Sequence, residues 1–203
     1  MKFFALLFIV AIALADKVKV VAKVESKCPD CINFWTAGVG EFMQYEDLKD
    51  TIDMTILGYG KAMTLTLDPP TFYCQHGEPE CYGNKVIDCG VQYVYEKQIE
   101  FTMCLSQNPS YSDEVIGNCI NKIGAEEAMT EKILTCAKGA EGNKLHMAAG
   151  EATGSVSYVP YVTINGEFLG YNNKDFTLKV CQAIEGPKPA SCAKVFGQSH
   201  LRK

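Results

Sequence analysis

The chain has 203 residues, the size of one domain or of one domain carrying an insertion. Hydrophobic residues at 47% and charged residues at 21% lie near globular averages, which excludes wholesale disorder and collagen-like repetition. The net charge of −5 argues against a general nucleic-acid binder, which needs a basic face.

The chain opens with Met1 and Lys2, followed by an uncharged run from Phe3 to the small-residue end Ala13-Leu14-Ala15. A membrane span needs about 20 apolar residues, so this shorter run predicts a secretory leader over 1–15. No second apolar span follows it. Val18 to Val24, rich in β-branched residues, predicts a strand running straight into Cys28-Pro29-Asp30-Cys31. Ile32, Trp35, Val39, Phe42 and Met43 then fall on one face of a helix, with Trp35 in the core. Pro29 suits the first helical position, and Gly38 and Gly40 weaken the pattern locally. Thr51 to Leu57 alternates as a second strand.

Gly58 to Gly90 reads as loop, with Pro69-Pro70 and several glycines. Helices are expected over Val91 to Leu105, Ser112 to Ile123, Glu126 to Lys138 and through Leu145 and Met147, the acids from Glu126 to Glu131 lying on a solvated face. Tyr158 to Ile164 and Glu167 to Leu169 read as strands joined by the hairpin turn Asn165-Gly166. A helix over Asp175 to Ile184 precedes Gly186-Pro187-Lys188-Pro189 and a thinly basic tail, too thin for a nucleic-acid claim. The expected fold is α/β: a thioredoxin-like sheet domain over 16–203, with a helical insertion at about 91–150 between the second strand and the C-terminal hairpin.

Ten cysteines in an exported chain suggest a disulfide framework. A domain of this size does not depend on such staples, so some cysteines are free for chemistry. Cys-X-X-Cys opening a helix directly after a strand is the setting of a redox pair. Unpaired N–H groups and the helix dipole stabilise a thiolate there, which makes Cys28 the nucleophile and Cys31 the resolving thiol. As a structural bridge the pair would close almost no loop. As zinc ligands it would need a matching second pair, which the spacing of Cys74, Cys81 and Cys89 does not supply. Pro160, before Tyr161 to Ile164, reads as a cis-proline beside the pair, or as a plain edge-strand marker. A cis bond would leave the backbone of Val159 open to an extended polypeptide substrate. Cys181 and Cys192 flank a short Gly-Pro-Lys-Pro segment and are expected to bridge. His146 and His200 lack a partner motif and are expected to meet solvent or ordinary hydrogen bonds.

Cys74-Gln75-His76-Gly77, followed by Glu80-Cys81, Asn84 and Cys89, matches the signature Cys-Gln-His-Gly-X2-Glu-Cys-X2-Asn-X4-Cys. The chain thereby resembles the gamma-interferon-inducible lysosomal thiol reductase family from Cys28 to Cys192. The resemblance implies a thiol reductase of thioredoxin-like fold, needing no cofactor, that reduces protein disulfides at acidic pH. It implies Cys28 and Cys31 as the active pair and a small thiol as reductant. It leaves His76 as a proton donor or as a loop histidine held by hydrogen bonds, and Cys74, Cys81 and Cys89 as structural partners. The family's mammalian members reach lysosomes through N-glycans. Here the only Asn-X-Ser/Thr triplet, Asn108-Pro109-Ser110, carries the excluded proline. Secretion therefore stands beside the endosomal or lysosomal lumen as the destination. Other readings are an oxidase or isomerase, and a secreted binding or immune-modulating protein on the same fold.

Overall fold

The structure, a computed structural model, describes residues 16–201. The expected leader lies outside the described residues. A four-stranded sheet has the order β2-β1-β5-β6. Its centre, β1 (Val18–Lys23), turns Val18, Val20 and Ala22 into the core and alternates them with Lys19, Val21 and Lys23. It pairs in parallel with β2 (Ile52–Leu57), from Val18 opposite Ile52 to Lys23 opposite Leu57. On its other side it runs antiparallel to β5 (Tyr161–Ile164), which is joined to β6 (Glu167–Phe168). Asn165 and Gly166 both have positive φ, as the expected two-residue turn requires.

The crossover between β1 and β2 is one helical run. α1 (Pro29–Asn33) passes through a π-helical stretch, Phe34–Val39, into α2 (Gly40–Phe42). Phe34, Trp35, Val39 and Phe42 are buried, and the rings of Phe34 and Phe42 meet Phe176 edge-on. Gly38 lies in this stretch against the loop at Asn173: a Cβ there would sit 2.4 Å from the Asn173 carbonyl oxygen. The glycine that weakens the helical pattern is what lets the helix lie that close.

The segment read as loop is ordered. β3 (Met63–Leu67) and β4 (Pro70–Tyr73) form a separate hairpin, and α3 (Glu78–Tyr93) begins inside the cysteine-rich signature. The proline and glycine signals were misleading for a physical reason. Pro79 occupies the first turn of α3, where its missing N–H costs nothing, and Gly83 makes room for a neighbouring loop. The helical layer therefore runs from Glu78 rather than from about 91. It continues through α4 (Gln98–Gln107), α5 (Asp113–Lys122), α6 (Ala128–Lys138) and α7 (Ala140–Thr153). The helix expected over Val91 to Leu105 is split at Val94 to Lys97. Ser112 caps α5 by accepting the Val115 N–H. The acids Glu126, Glu127 and Glu131 are exposed.

α8 (Phe176–Ala183) is followed by a further helix, α9 (Ala190–Leu201), where only a tail was expected. Lys188 Nζ donates to the Cys181 and Ile184 carbonyls at the end of α8, and the Ser191 N–H donates to Asp47. Four disulfides fasten the helices. Cys74–Cys81 brackets the start of α3, Cys89–Cys136 joins α3 to α6, Cys104–Cys119 joins α4 to α5, and Cys181–Cys192 joins α8 to α9. His146 on α7 is fully buried, its Nδ1 2.9 Å from Asp88 of α3. No helix among the described residues is long and apolar enough to cross a membrane.

Candidate active site

Cys28 and Cys31 are the two cysteines left free. Cys28 is the N-cap of α1, and its extended backbone carries the chain from β1 into the helix. Cys31 lies one turn further in with no exposed surface, while Cys28 keeps 8%. The Sγ of Cys28 lies 3.8 Å from the carbonyl oxygen of Val159, and the peptide bond from Val159 to Pro160 is cis. Val159 and Pro160, predicted at the substrate side, thus stand beside Cys28.

The two thiols are held in opposite states. A hydrogen bond from the Cys31 thiol, then the N–H groups of Cys31 and Asp30, bring the Cys28 pKa down to about 6 against burial and the charge of Asp30. The helix terminus foreseen from the sequence contributes, but the partner thiol contributes more. Burial pushes Cys31 well above the ordinary thiol value, and donating to Cys28 pushes it the same way. Cys31 Sγ also accepts the Glu25 N–H at 3.3 Å. A thiolate at Cys28 with a protonated, shielded Cys31 behind it can attack a disulfide first and resolve the mixed disulfide second.

The signature residues hold the loop that leads into the pair. On α3, Asn84 Oδ1 accepts the Ser26 N–H at 2.7 Å, and the Glu80 carbonyl accepts the Ser26 hydroxyl at 3.0 Å. Tyr111 OH donates to the Ser26 carbonyl at 3.0 Å. A Cβ on Gly83 would fall 2.5 Å from Ser26 Oγ, so only glycine lets α3 approach this loop. Gly77 caps α3 with φ 79°. His76 donates its backbone N–H to the buried Glu80 carboxylate, and its Nδ1 lies 2.5 Å from the other Glu80 oxygen. Gln75 is exposed on the loop, and Cys89 is at the far end of α3 in its bridge to α6.

Glu25 is the residue that sequence reasoning missed. Its only signal was a carboxylate closing an apolar strand three positions before the first cysteine. It is 2% exposed; one carboxylate oxygen accepts the Lys61 N–H at 2.7 Å, and the other, unpartnered, is 4.0 Å from His76 Nδ1. Burial, reinforced by Glu80 and Cys28, raises its pKa to about 7. Glu25, His76 and Glu80 each offer a donor atom of a metal-ligand type within 4.8 Å of one another. The His76–Glu80 separation is that of a hydrogen bond, since two ligands on one zinc ion, each bonded at about 2.1 Å, stand about 3 Å or more apart.

The raised Glu25 pKa carries a sign. The folded chain keeps this proton between about 4.5 and 7, where the unfolded chain has lost it, so stability falls as pH rises through that window, by up to about 3 kcal/mol. Glu25→Gln should flatten the fall. Urea unfolding at pH 4.5 and pH 7.5 should show a smaller loss in the variant than in the parent, and equal losses would rule the assignment out.

The fold and its two opposed thiols define a thioredoxin-fold thiol-disulfide oxidoreductase. The solved structure of MdbA, a thiol-disulfide oxidoreductase from Actinomyces oris, superposes with a TM-score of 0.61 at 14% identity, covering 86% of this chain and 83% of that one. The family model described as "Gamma interferon inducible lysosomal thiol reductase (GILT)" matches residues 18–123. GILT-like protein 1 of Drosophila melanogaster is 31% identical over 212 residues, covering 91% of this chain and 82% of that protein. Gamma-interferon-inducible lysosomal thiol reductase of Carassius auratus is 30% identical over 191 residues, covering 89% and 74%. The chain belongs to the gamma-interferon-inducible lysosomal thiol reductase family, and it is an enzyme of thiol-disulfide exchange.

Proposed function

We propose that the enzyme reduces disulfides of unfolded polypeptides through Cys28 and Cys31, in an acidic lumenal or extracellular compartment. The Cys28 thiolate attacks a substrate sulfur and forms a mixed disulfide, and the departing substrate thiolate takes up a proton. Cys31 then loses its proton, attacks Cys28 Sγ and releases the second substrate thiolate. Two electrons have passed to the substrate, and Cys28–Cys31 is now a disulfide. Two equivalents of a small thiol restore the pair. The observation that carries this reading is the free Cys28 thiol at the N-terminus of α1, facing the Val159 carbonyl. The Val159 backbone beside Cys28 supports an extended substrate, paired in the manner of strand addition. The four further disulfides suit assembly in an oxidising compartment.

Substitution of the two thiols tests the roles. Cys31→Ser should accumulate a mixed disulfide with a denatured, disulfide-bonded protein at pH 5, visible as a mass increase that a reductant removes. Cys28→Ser should abolish turnover and trap nothing. Equal trapping by both variants would overturn the assignment.

A further inference from the structure

Four aromatic rings gather at the end of the β5–β6 hairpin nearest the cysteines. Tyr158 meets Tyr161, Phe168 and Tyr171 with centroids 5.9, 5.6 and 4.8 Å apart, and Phe168 stacks on Tyr161 at 5.1 Å. Phe168 and Tyr171 also touch, at 5.6 Å. These rings are not core. Along β5, Val162 and Ile164 point inward, which leaves Tyr161 on the opposite face. Tyr171 is 81% exposed and Phe168 37%. The buried hydroxyl of Tyr158 has no hydrogen-bond partner.

Both ends of the cluster are tied to the cysteine pair. Tyr158 directly precedes Val159, whose carbonyl lies 3.8 Å from Cys28 Sγ. Tyr171 stands two residues before Asn173, whose side-chain amide donates to the carbonyl of Asp30, between the two cysteines, at 3.2 Å. Beyond β6 the sheet ends, so nothing in the strand order closes this side. We propose that these rings form a subsite for an apolar or aromatic side chain flanking the substrate's disulfide cysteine, on an unfolded polypeptide laid along Val159. The inference rests on the reading of Cys28 and Cys31 as the active pair.

The occupant follows from position and chemistry. A strand advances about 3.3 Å per residue with alternate side chains on one face, so a side chain two residues from the reacting cysteine stands about 7 Å from it, within reach of rings joined to Val159 and Asp30. Aromatic side chains with two torsions lose little freedom on docking, which suits a rigid surface that accepts many sequences.

Two ten-residue peptides, each with one cysteine disulfide-bonded to cysteamine and either Tyr or Ser two positions from it, provide the probe. Hydroxyethyl disulfide, which has no side chains, gives the intrinsic rate of the pair for each variant. Relative to that rate, the parent enzyme should reduce the Tyr peptide about tenfold more efficiently than the Ser peptide, through KM rather than kcat. Tyr171→Ser with Phe168→Ser should bring the two peptides level, whereas Tyr171→Phe, which keeps the ring, should preserve the preference. No preference in the parent, or an undiminished one in the double variant with its circular dichroism melt intact, would overturn the subsite. Failure of the parent to reduce hydroxyethyl disulfide would instead overturn the cysteine-pair reading on which the subsite rests.

Discussion

In the reduced protein, Cys28 should react with iodoacetamide along a pH curve whose midpoint is near 6. An ordinary thiol with a pKa of about 8.5 is roughly one part in 3,000 thiolate at pH 5, whereas one with a pKa of about 6 is roughly one part in eleven. The gain in thiolate is therefore about 300-fold. The same shift weakens the sulfur as a nucleophile by about tenfold or slightly more, so a net advantage of about 20-fold remains in acid. Mass spectrometry after limited alkylation would read Cys28 selectively, because Cys31 has no exposed surface. The hydrogen bond from Cys31 is the largest source of the lowering, so Cys31→Ala should move the midpoint upward. A midpoint near 8 in the parent would remove the physical basis for an acid-active reductase.

Deleting the bridge between α3 and α6, as Cys89→Ala with Cys136→Ala, should destabilise the fold the most. The bridge spans 47 residues. The chain-entropy model assigns a loop of that length about 4 kcal/mol, a large part of the 5–15 kcal/mol typical of a whole domain. Both sulfurs are buried, so truncation also leaves unfilled space. The consequence extends to the chemistry, because α3 is the helix that presents Glu80 and Asn84 to the loop before Cys28. Urea denaturation with the other bridges kept oxidised measures the cost, and a loss below about 1 kcal/mol would show that α3 and α6 hold together without the bridge.

The sheet was readable in the sequence because its strands follow the period of two, and the pair was readable because Cys-X-X-Cys follows a strand and opens a helix. α3 was not readable from period. Its buried face carries Glu80, Asn84 and Asp88, spaced by four, so a polar row runs inward beside the apolar Val86 and Ile87. A search for apolar recurrence passes over such a helix, and the glycines that mimic a loop are there for close approach. Glu25 was missed for a related reason. A lone carboxylate after a strand reads as solvated, and only the fold reveals that Lys61, His76 and Glu80 enclose it. The signature marked the positions His76, Glu80 and Asn84 but not how they act together: His76 bonds Glu80, and Glu80 and Asn84 hold Ser26.

Gly38 sets the aperture of the site from behind. A methyl group there would press on the carbonyl of Asn173, the residue whose side chain grips Asp30 and whose loop carries Tyr171. The spacing between the cysteine turn and the aromatic rim is thus governed by an atom that is missing from a helix two turns away. Enlarging that position would displace Asn173 and, through its grip on Asp30, the peptide whose N–H helps stabilise the Cys28 thiolate.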